Sequence, residues 1–418
     1  MASTSDKEDV QICFTTKQAQ YAVPDYTLLV QSSIDTNGLN TLVYELLKES
    51  NVKQSKIQFD FIIASELLRT SLLEHIAKKN VATEDIIEVQ YVEKYPPPEH
   101  KNCITQDDWI SAVAVYGKWI LTGSYDNTLH IWTTKGEHLL VIRGHEAAVK
   151  AVAWLSVYDD EASFVSASAD QTAMIWQWNI EKNSVKCVHV CEEHKRGLLA
   201  VGANPDKSLI ATGGWDTMLK IWSTSMQDET EDGESASKMI KAKQSKTKLP
   251  QCTLMGNIET ITGIVWSDKT TIITSSWDHT LRIWDSELRG IKDECLGNEP
   301  FLDVDYSPLT RTIIAPSSDN FIKLFDPRSS ESMYPKTVFK SHTQWAQCVR
   351  WSTVNEYLFV SGGYDDLVKL WDTRSPTMPL YDLRGHTDKV LCCDWSESKL
   401  IMSGGADNTL EIFKTEAR

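Results

Sequence analysis

No apolar run in this 418-residue chain approaches the roughly 20 residues that carry a helix across a bilayer. Glycine-rich loops that could cradle a phosphate are missing too. The opening Met-Ala-Ser-Thr-Ser-Asp-Lys-Glu-Asp is polar, so no signal peptide is expected. Positive charge is in short supply: 42 Lys and Arg face 58 Asp and Glu, a net charge of −16. Bulk attraction to nucleic acid or anionic membrane is thereby disfavoured, although a local basic patch is not excluded. The nine cysteines are scattered and odd in number. That speaks against a disulfide framework and for reduced thiols in the cytosol or nucleus. The hydrophobic content of 41% is enough for a large core. Together these exclusions leave a soluble intracellular globular protein.

What the chain does have is a repeat. In Thr212-Gly-Gly-Trp-Asp216-Thr-Met-Leu-Lys-Ile-Trp222 an acid precedes a strand, and an aromatic closes it six residues later. The same interval recurs at Asp126/Trp132, Asp170/Trp176, Asp278/Trp284, Asp319/Phe325, Asp365/Trp371 and Asp407/Phe413. With one exception the period is 41 to 46 residues, which marks a radial β-repeat. A Ser or Thr stands four residues before the Asp in every copy but one, where Ala315 breaks the rule. Further upstream stands His145, His194, His342 or His386, replaced elsewhere by Gln106, Asn257 and Asn298. The Asp suits a tight turn, where its carboxylate accepts backbone amides. The His can donate to that carboxylate, the hydroxyl can bond the His, and the indole N–H can bond the hydroxyl. Every polar group is then satisfied inside an apolar blade. This resembles the hydrogen-bonded tetrad of WD40 propellers. Three sets are complete: His145/Ser166/Asp170/Trp176, His194/Thr212/Asp216/Trp222 and His342/Ser361/Asp365/Trp371. A fourth, His386/Ser403/Asp407, lacks only the indole, and the Asp319 blade has lost most of the set and should be the least rigid. His, Ser and Asp could also be a hydrolase triad. A set repeated blade after blade argues against that, because catalysis needs one singular exposed copy.

The first hundred residues lack the repeat. Val10, Ile12 and Phe14 alternate as in a half-buried strand, and Tyr21 to Tyr26 could be the returning strand. Leu39, Leu42, Val43, Leu46 and Leu47 have helical spacing, with Thr36-Asn37 as a possible cap. Ile57 to Ile63 alternate, a short Leu-rich turn follows at Leu67 to Leu73, and Ile87, Val89 and Tyr91 alternate last. The order, two strands, a helix, a strand, a short helix and a strand, predicts a small α+β module over 8–95. The segments Phe59-Asp-Phe-Ile-Ile63, Glu66-Leu-Leu-Arg-Thr-Ser-Leu72 and Ile87-Glu-Val-Gln-Tyr91 are similar to the ubiquitin-like domain at the front of certain WD40 ribosome-assembly factors. No Gly-Gly ends the module, so conjugation is not its use; a packing cap is the plainer reading. Pro96-Pro97-Pro98 makes a stiff linker, 96–101.

The propeller should span 102–418, seven blades of four strands, with Asn102 to Thr105 completing the last blade and closing the ring. The long period lies between Asp216 and Asp278. Its excess, 225–250, begins acidic and ends in lysines and is expected to be a disordered loop after the third blade. The lysines suit an import signal or RNA phosphates, or a solvated loop with no role. Cys187-Val-His189-Val-Cys191 invites zinc, but His194 is claimed by a blade, and no metal is expected. Leu324-Phe-Asp-Pro-Arg328 and Leu370-Trp-Asp-Thr-Arg374 are similar to the docking box of WD40 substrate receptors of cullin ubiquitin ligases, with Arg328 and Arg374 as docking residues. That is the alternative function.

The whole combination resembles the WD-repeat ribosome-biogenesis family with an N-terminal ubiquitin-like domain, the WD40 partners of pescadillo and the block-of-proliferation protein. Asp107-Asp-Trp-Ile-Ser111, Ser276-Trp-Asp-His-Thr280 and Ser403-Gly-Gly-Ala-Asp-Asn408 carry the match further. The resemblance implies a non-catalytic factor without cofactor, acting on precursors of the large (60S) subunit in nucleolus and nucleoplasm and needed for 28S and 5.8S rRNA maturation. Its propeller would bind the block-of-proliferation protein, and pescadillo through that complex. Its ubiquitin-like domain would be grasped by the ATPase midasin, an acid completing the coordination of a Mg²⁺ held by midasin. The matching acid here is Glu84, in Val81-Ala-Thr-Glu84-Asp85. On the residues alone Glu84 is an ordinary surface acid or the cap of a turn.

Overall fold

The computed structural model describes residues 9–49, 57–80, 82, 84–225, 247–329 and 331–416. Two compact units make up the fold: Met1–Pro97 with Asp372–Pro379, and Pro98–Trp371 with Leu380–Arg418.

In the first unit β1 (Asp9–Thr15), β2 (Thr27–Gln31), α1 (Thr36–Glu49), β3 (Phe59–Ile63), β4 (Glu66–Leu67), α2 (Leu72–Lys79) and β5 (Ile87–Glu93) follow in order. The sheet runs β2-β1-β5-β3-β4, with β1 parallel to β5 and the other pairs antiparallel. Alternation decides which side chains go inward: Val10, Ile12, Phe14, Val89 and Tyr91 are buried against Leu39, Val43 and Leu47 of α1. Tyr91 meets Phe14 and Phe59 edge-on, at 5.9 and 5.5 Å, pairs worth about 0.5–1.5 kcal/mol each beyond burial.

Two local expectations change. The returning strand is not Tyr21–Tyr26 but β2. Ala19–Tyr21 forms a 3₁₀ turn, and Pro24, which has no N–H, instead accepts from the Tyr26 N–H at 2.8 Å. The cap of α1 is Asp35, whose carboxylate accepts the Gly38 N–H at 2.8 Å. The expected short helix is α2, capped by Ser71, and the two-residue strand β4 stands before it.

The second unit is seven sheets of four or five strands, numbered here as blades 1 to 7 by their turn aspartates, Asp126 to Asp407. The ring closes through β6 (Glu99–Thr105), which pairs antiparallel with Thr409–Lys414 as the outer strand of blade 7. The long insertion does not follow blade 3. It lies between that blade's third strand, Leu219–Ser223, and its fourth, Cys252–Leu254. Its core, 226–246, is outside the described residues. Thr247–Lys248 is no loop either: it pairs in parallel with Val190 and Cys191 and gives blade 2 a fifth strand.

Two backbone features repeat around the ring. The residue after each turn Asp is left-handed in all seven blades: Asn127, Gln171, Thr217, His279, Asn320, Asp366 and Asn408, with φ from 62 to 74°. Asn adopts this at little cost; the β-branched Thr217 is strained by it. Thr217→Asn is therefore expected to stabilise the chain by about 0.5–1 kcal/mol. A urea midpoint that stays or falls contradicts this. In six blades the innermost strand also carries a bulge next to its first pair. The skipped residues are Ser111, Lys150, Leu199, Thr262, Gln347 and Leu391, and all six line a cavity of about 140 Å³ along the axis.

Candidate functional site: blade networks and an exposed acid

The glycine pairs that precede three of the turn aspartates leave room for what comes next. A Cβ on Gly363 would stand 2.6 Å from His342 Nδ1, and one on Gly405 2.7 Å from His386 Nδ1. In blade 2 His145 Nδ1 lies 2.8 Å from the Asp170 carboxylate and Nε2 2.7 Å from Ser166 Oγ, which also accepts the Trp176 indole N–H at 2.8 Å. Blade 3 repeats this with His194, Asp216, Thr212 and Trp222 at 2.8, 2.7 and 2.8 Å. Blade 6 repeats it with His342, Asp365, Ser361 and Trp371 at 2.9, 2.7 and 2.8 Å. In blade 7 His386 bridges Asp407 and Ser403 at 3.1 and 2.8 Å, with Phe413 in the indole's place. Burial alone would raise these carboxyls. Hydrogen bonds from the histidine and the turn amides outweigh it and hold Asp170, Asp216, Asp365 and Asp407 below the ordinary carboxylate range. These histidines are buried and spent on structure, which leaves no exposed nucleophile–base pair among them.

The blades without histidine use other donors. In blade 1 Gln106 Nε2 donates to Thr122 Oγ1 at 2.7 Å, and Trp132 donates to the same oxygen at 3.3 Å. In blade 4 Arg282, buried, reaches both Asn257 Oδ1 (2.7 Å) and Asp278 (2.5 Å). In blade 5 buried Lys323 stands 2.7 Å from Asp319 and donates to Ser317 Oγ at 3.2 Å. Asn298 is exposed. The blade expected to be weakest is thus held by an ion pair in place of the tetrad. Lys323 and Arg282 both sit four residues after the turn Asp; Lys220 and Lys369 hold that position in blades that keep the histidine, so the signal is a cation there together with the missing histidine. Two of the inner indoles act between blades: Trp154 donates to Ala114 O at 3.0 Å and Trp266 to Gly202 O at 3.1 Å.

Of the two boxes, Arg328 forks onto Asp326 at 2.9 and 2.9 Å, and Arg374 onto Asp372 at 2.8 and 2.5 Å. Each arginine is engaged by the aspartate of its own box. Glu84 lies in the bend before β5. It is exposed, as are its neighbours Asp85 and Ile86, and among the described residues it forms no ion pair. Among the described residues no group of three His, Cys, Asp or Glu side chains is placed to hold a metal.

A family model described as the NLE (NUC135) domain matches residues 10–76. A model of the WD domain, G-beta repeat, matches 99–133, 136–177, 185–223, 248–285, 333–372 and 377–414. A ribosome biogenesis protein WDR12 homolog of Aedes aegypti is 49% identical over 408 residues, 97% of this chain and 96% of that protein. The chain belongs to the WDR12 family of ribosome biogenesis proteins. The WDR12 homolog of Anopheles gambiae is likewise 49% identical, over 99% of this chain and 96% of its own length. That of Drosophila virilis is 47% identical over 99% and 97%. The WD40 matches skip the stretch 286–332, which holds most of blade 5. There the tetrad chemistry has been replaced, while the four strands remain. The models and relatives named above carry no enzymatic activity in their names.

Proposed function

We propose that this chain is a non-catalytic assembly factor of the large ribosomal subunit, needed for 28S and 5.8S rRNA maturation in the nucleolus and nucleoplasm. In this reading the propeller binds the block-of-proliferation protein, and through it pescadillo and the pre-60S particle. The ubiquitin-like module is the handle by which midasin removes the factor. The observation that supports it most is the full-length likeness to WDR12 homologues, module and propeller together. The geometry agrees. Each tetrad histidine is consumed inside a blade, so the propeller is a rigid display surface. Glu84 is an exposed acid without a cation partner among the described residues, beside the exposed Ile86. Among the described residues it has no neighbours that make a metal-holding set with it. In this reading midasin supplies the remaining Mg²⁺ ligands. Replacing the endogenous protein with a chain lacking residues 1–97 tests the proposal. Pre-60S particles should accumulate with the factor still attached, and 28S and 5.8S precursors should build up. Normal release and processing would refute it.

A further inference from the structure

The loop before each inner strand and the turn that carries each Asp meet on one face of the propeller, joined by the same backbone bond in every blade. The residue before the turn Asp donates its N–H to a carbonyl of the loop before the inner strand, in six blades that of the residue directly preceding the strand and in blade 5 that of Pro300. Examples are Tyr125 to Trp109, Trp215 to Gly197, Trp277 to Thr260 and Tyr364 to Trp345, at 2.8 to 3.0 Å. Blades 2 and 7 carry Ala148/Ala169 and Lys389/Ala406 at the same two places.

This face holds every exposed tryptophan of the chain. Of the 15 tryptophans only Trp109, Trp215, Trp277 and Trp345 are exposed, by 42, 51, 41 and 46%. They form three aromatic pairs. Trp109 meets Tyr125 edge-on at 5.2 Å, Trp345 stacks on Tyr364 at 5.8 Å, and Trp215 lies 6.4 Å from Trp277 across blades 3 and 4. Large aromatics left in water on one rigid face are the residues that dominate protein interfaces.

The charges around them choose the partner. Asp107, Asp108, Glu146, Glu259, Glu299 and Asp388 lie in the same loops, and among the described residues none of the six is in an ion pair. Arg143, Lys195, Arg196 and Arg384 are the basic counterweight in these loops, where Glu192 and Glu193 add to the acids. Two further lysines are already engaged: Lys150 lies over the Tyr125 ring at 3.5 Å and Lys389 over Tyr364 at 5.1 Å. Carboxylates beside open indole faces suit a planar cation, which can stack and accept both attractions at once. They repel a phosphate backbone.

We infer that this face docks a protein surface that presents arginine side chains. The inference rests on the reading that the propeller's partner is another protein, and it names the chemistry of that partner and the face it meets. The test uses the full chain with fluorescently labelled nona-arginine and nona-lysine peptides. Nona-arginine should bind several-fold more tightly than nona-lysine. Trp109→Ala with Trp345→Ala should weaken it about ten-fold. Asp107→Asn, Asp108→Asn and Asp388→Asn together should weaken it and flatten its salt dependence. All five residues are on the surface, so melting temperatures should hold. Equal binding of the two peptides, or no change in the tryptophan variant, overturns the inference. So does a single-stranded 20-nucleotide RNA that binds the wild type and is lost in that variant. The block-of-proliferation propeller is titrated alongside. Loss of its binding in the tryptophan variant is expected, and binding that survives there moves the partner to another surface and overturns the inference. No binding to the wild type at all refutes the assignment of that partner, while the peptide comparison still decides the face.

Discussion

A chain with prolines at Asn102 and Cys103 should lose on the order of 5 kcal/mol of stability and melt about 10 °C lower. The reasoning starts from the ladder. β6 pairs with Thr409–Lys414 over six residues and buries Ile104. Ladder bonds alternate along a strand, so one of two adjacent prolines removes a bond, and detaching the strand exposes Ile104, whose lost burial costs about 2–5 kcal/mol. For a domain of this size one kcal/mol moves the melting point by roughly 2 °C. The consequence exceeds a lost strand. Blade 7 would present Thr409–Lys414 as an open edge, and the variant should associate through it. Differential scanning calorimetry and light scattering read both effects. A variant that melts like wild type and stays monomeric would mean that the ring closes without β6.

Asp365→Ala is expected to cost about 3 kcal/mol, because it strands His342 Nδ1 and the Thr343 N–H, both of which it accepts. Asp388→Ala, an exposed acid outside any tetrad, should stay within about 0.5 kcal/mol. The pH dependence follows from the carboxyl. Burial disfavours its ionisation, but the His342 hydrogen bond outweighs that, and its pKa in the fold lies below the ordinary value. A lowered acid pKa contributes stability above the unfolded value of about 3.9, lost as pH falls through the folded one. The gap between wild type and variant should therefore be full at pH 7 and should narrow below about pH 4. A gap that widens in acid contradicts the network.

Repetition explains how much was legible. Seven copies of one Asp–aromatic interval report one turn and one strand seven times over, so the repeat and its polar positions were legible from spacing, and the tetrads from the WD40 resemblance. Singular features had no such redundancy. Lys323 and Arg282 replace histidine from a strand rather than from the preceding loop, so searching the loop position found only Asn298 and Asn257. Thr247–Lys248 pairs over two residues with a blade it does not follow in sequence, which no local pattern announces. β2 was misplaced because Tyr21 looks like a strand residue, whereas its ring is buried from a 3₁₀ turn. The bulges that aim Lys150 and Gln347 at the axis are backbone events without a residue signature. Glu84 carries no pattern at all; only the family likeness singles it out from Asp85.

The most direct measurement of the central claim is binding of the full chain to the midasin adhesion domain, in Mg²⁺ and in EDTA, for wild type and Glu84→Ala. The account predicts binding that needs both the metal and Glu84, with Asp85→Ala behaving as wild type. Binding that ignores the metal or survives without Glu84 would contradict the carboxylate's role. No binding under any condition would remove the release handle from the proposed function.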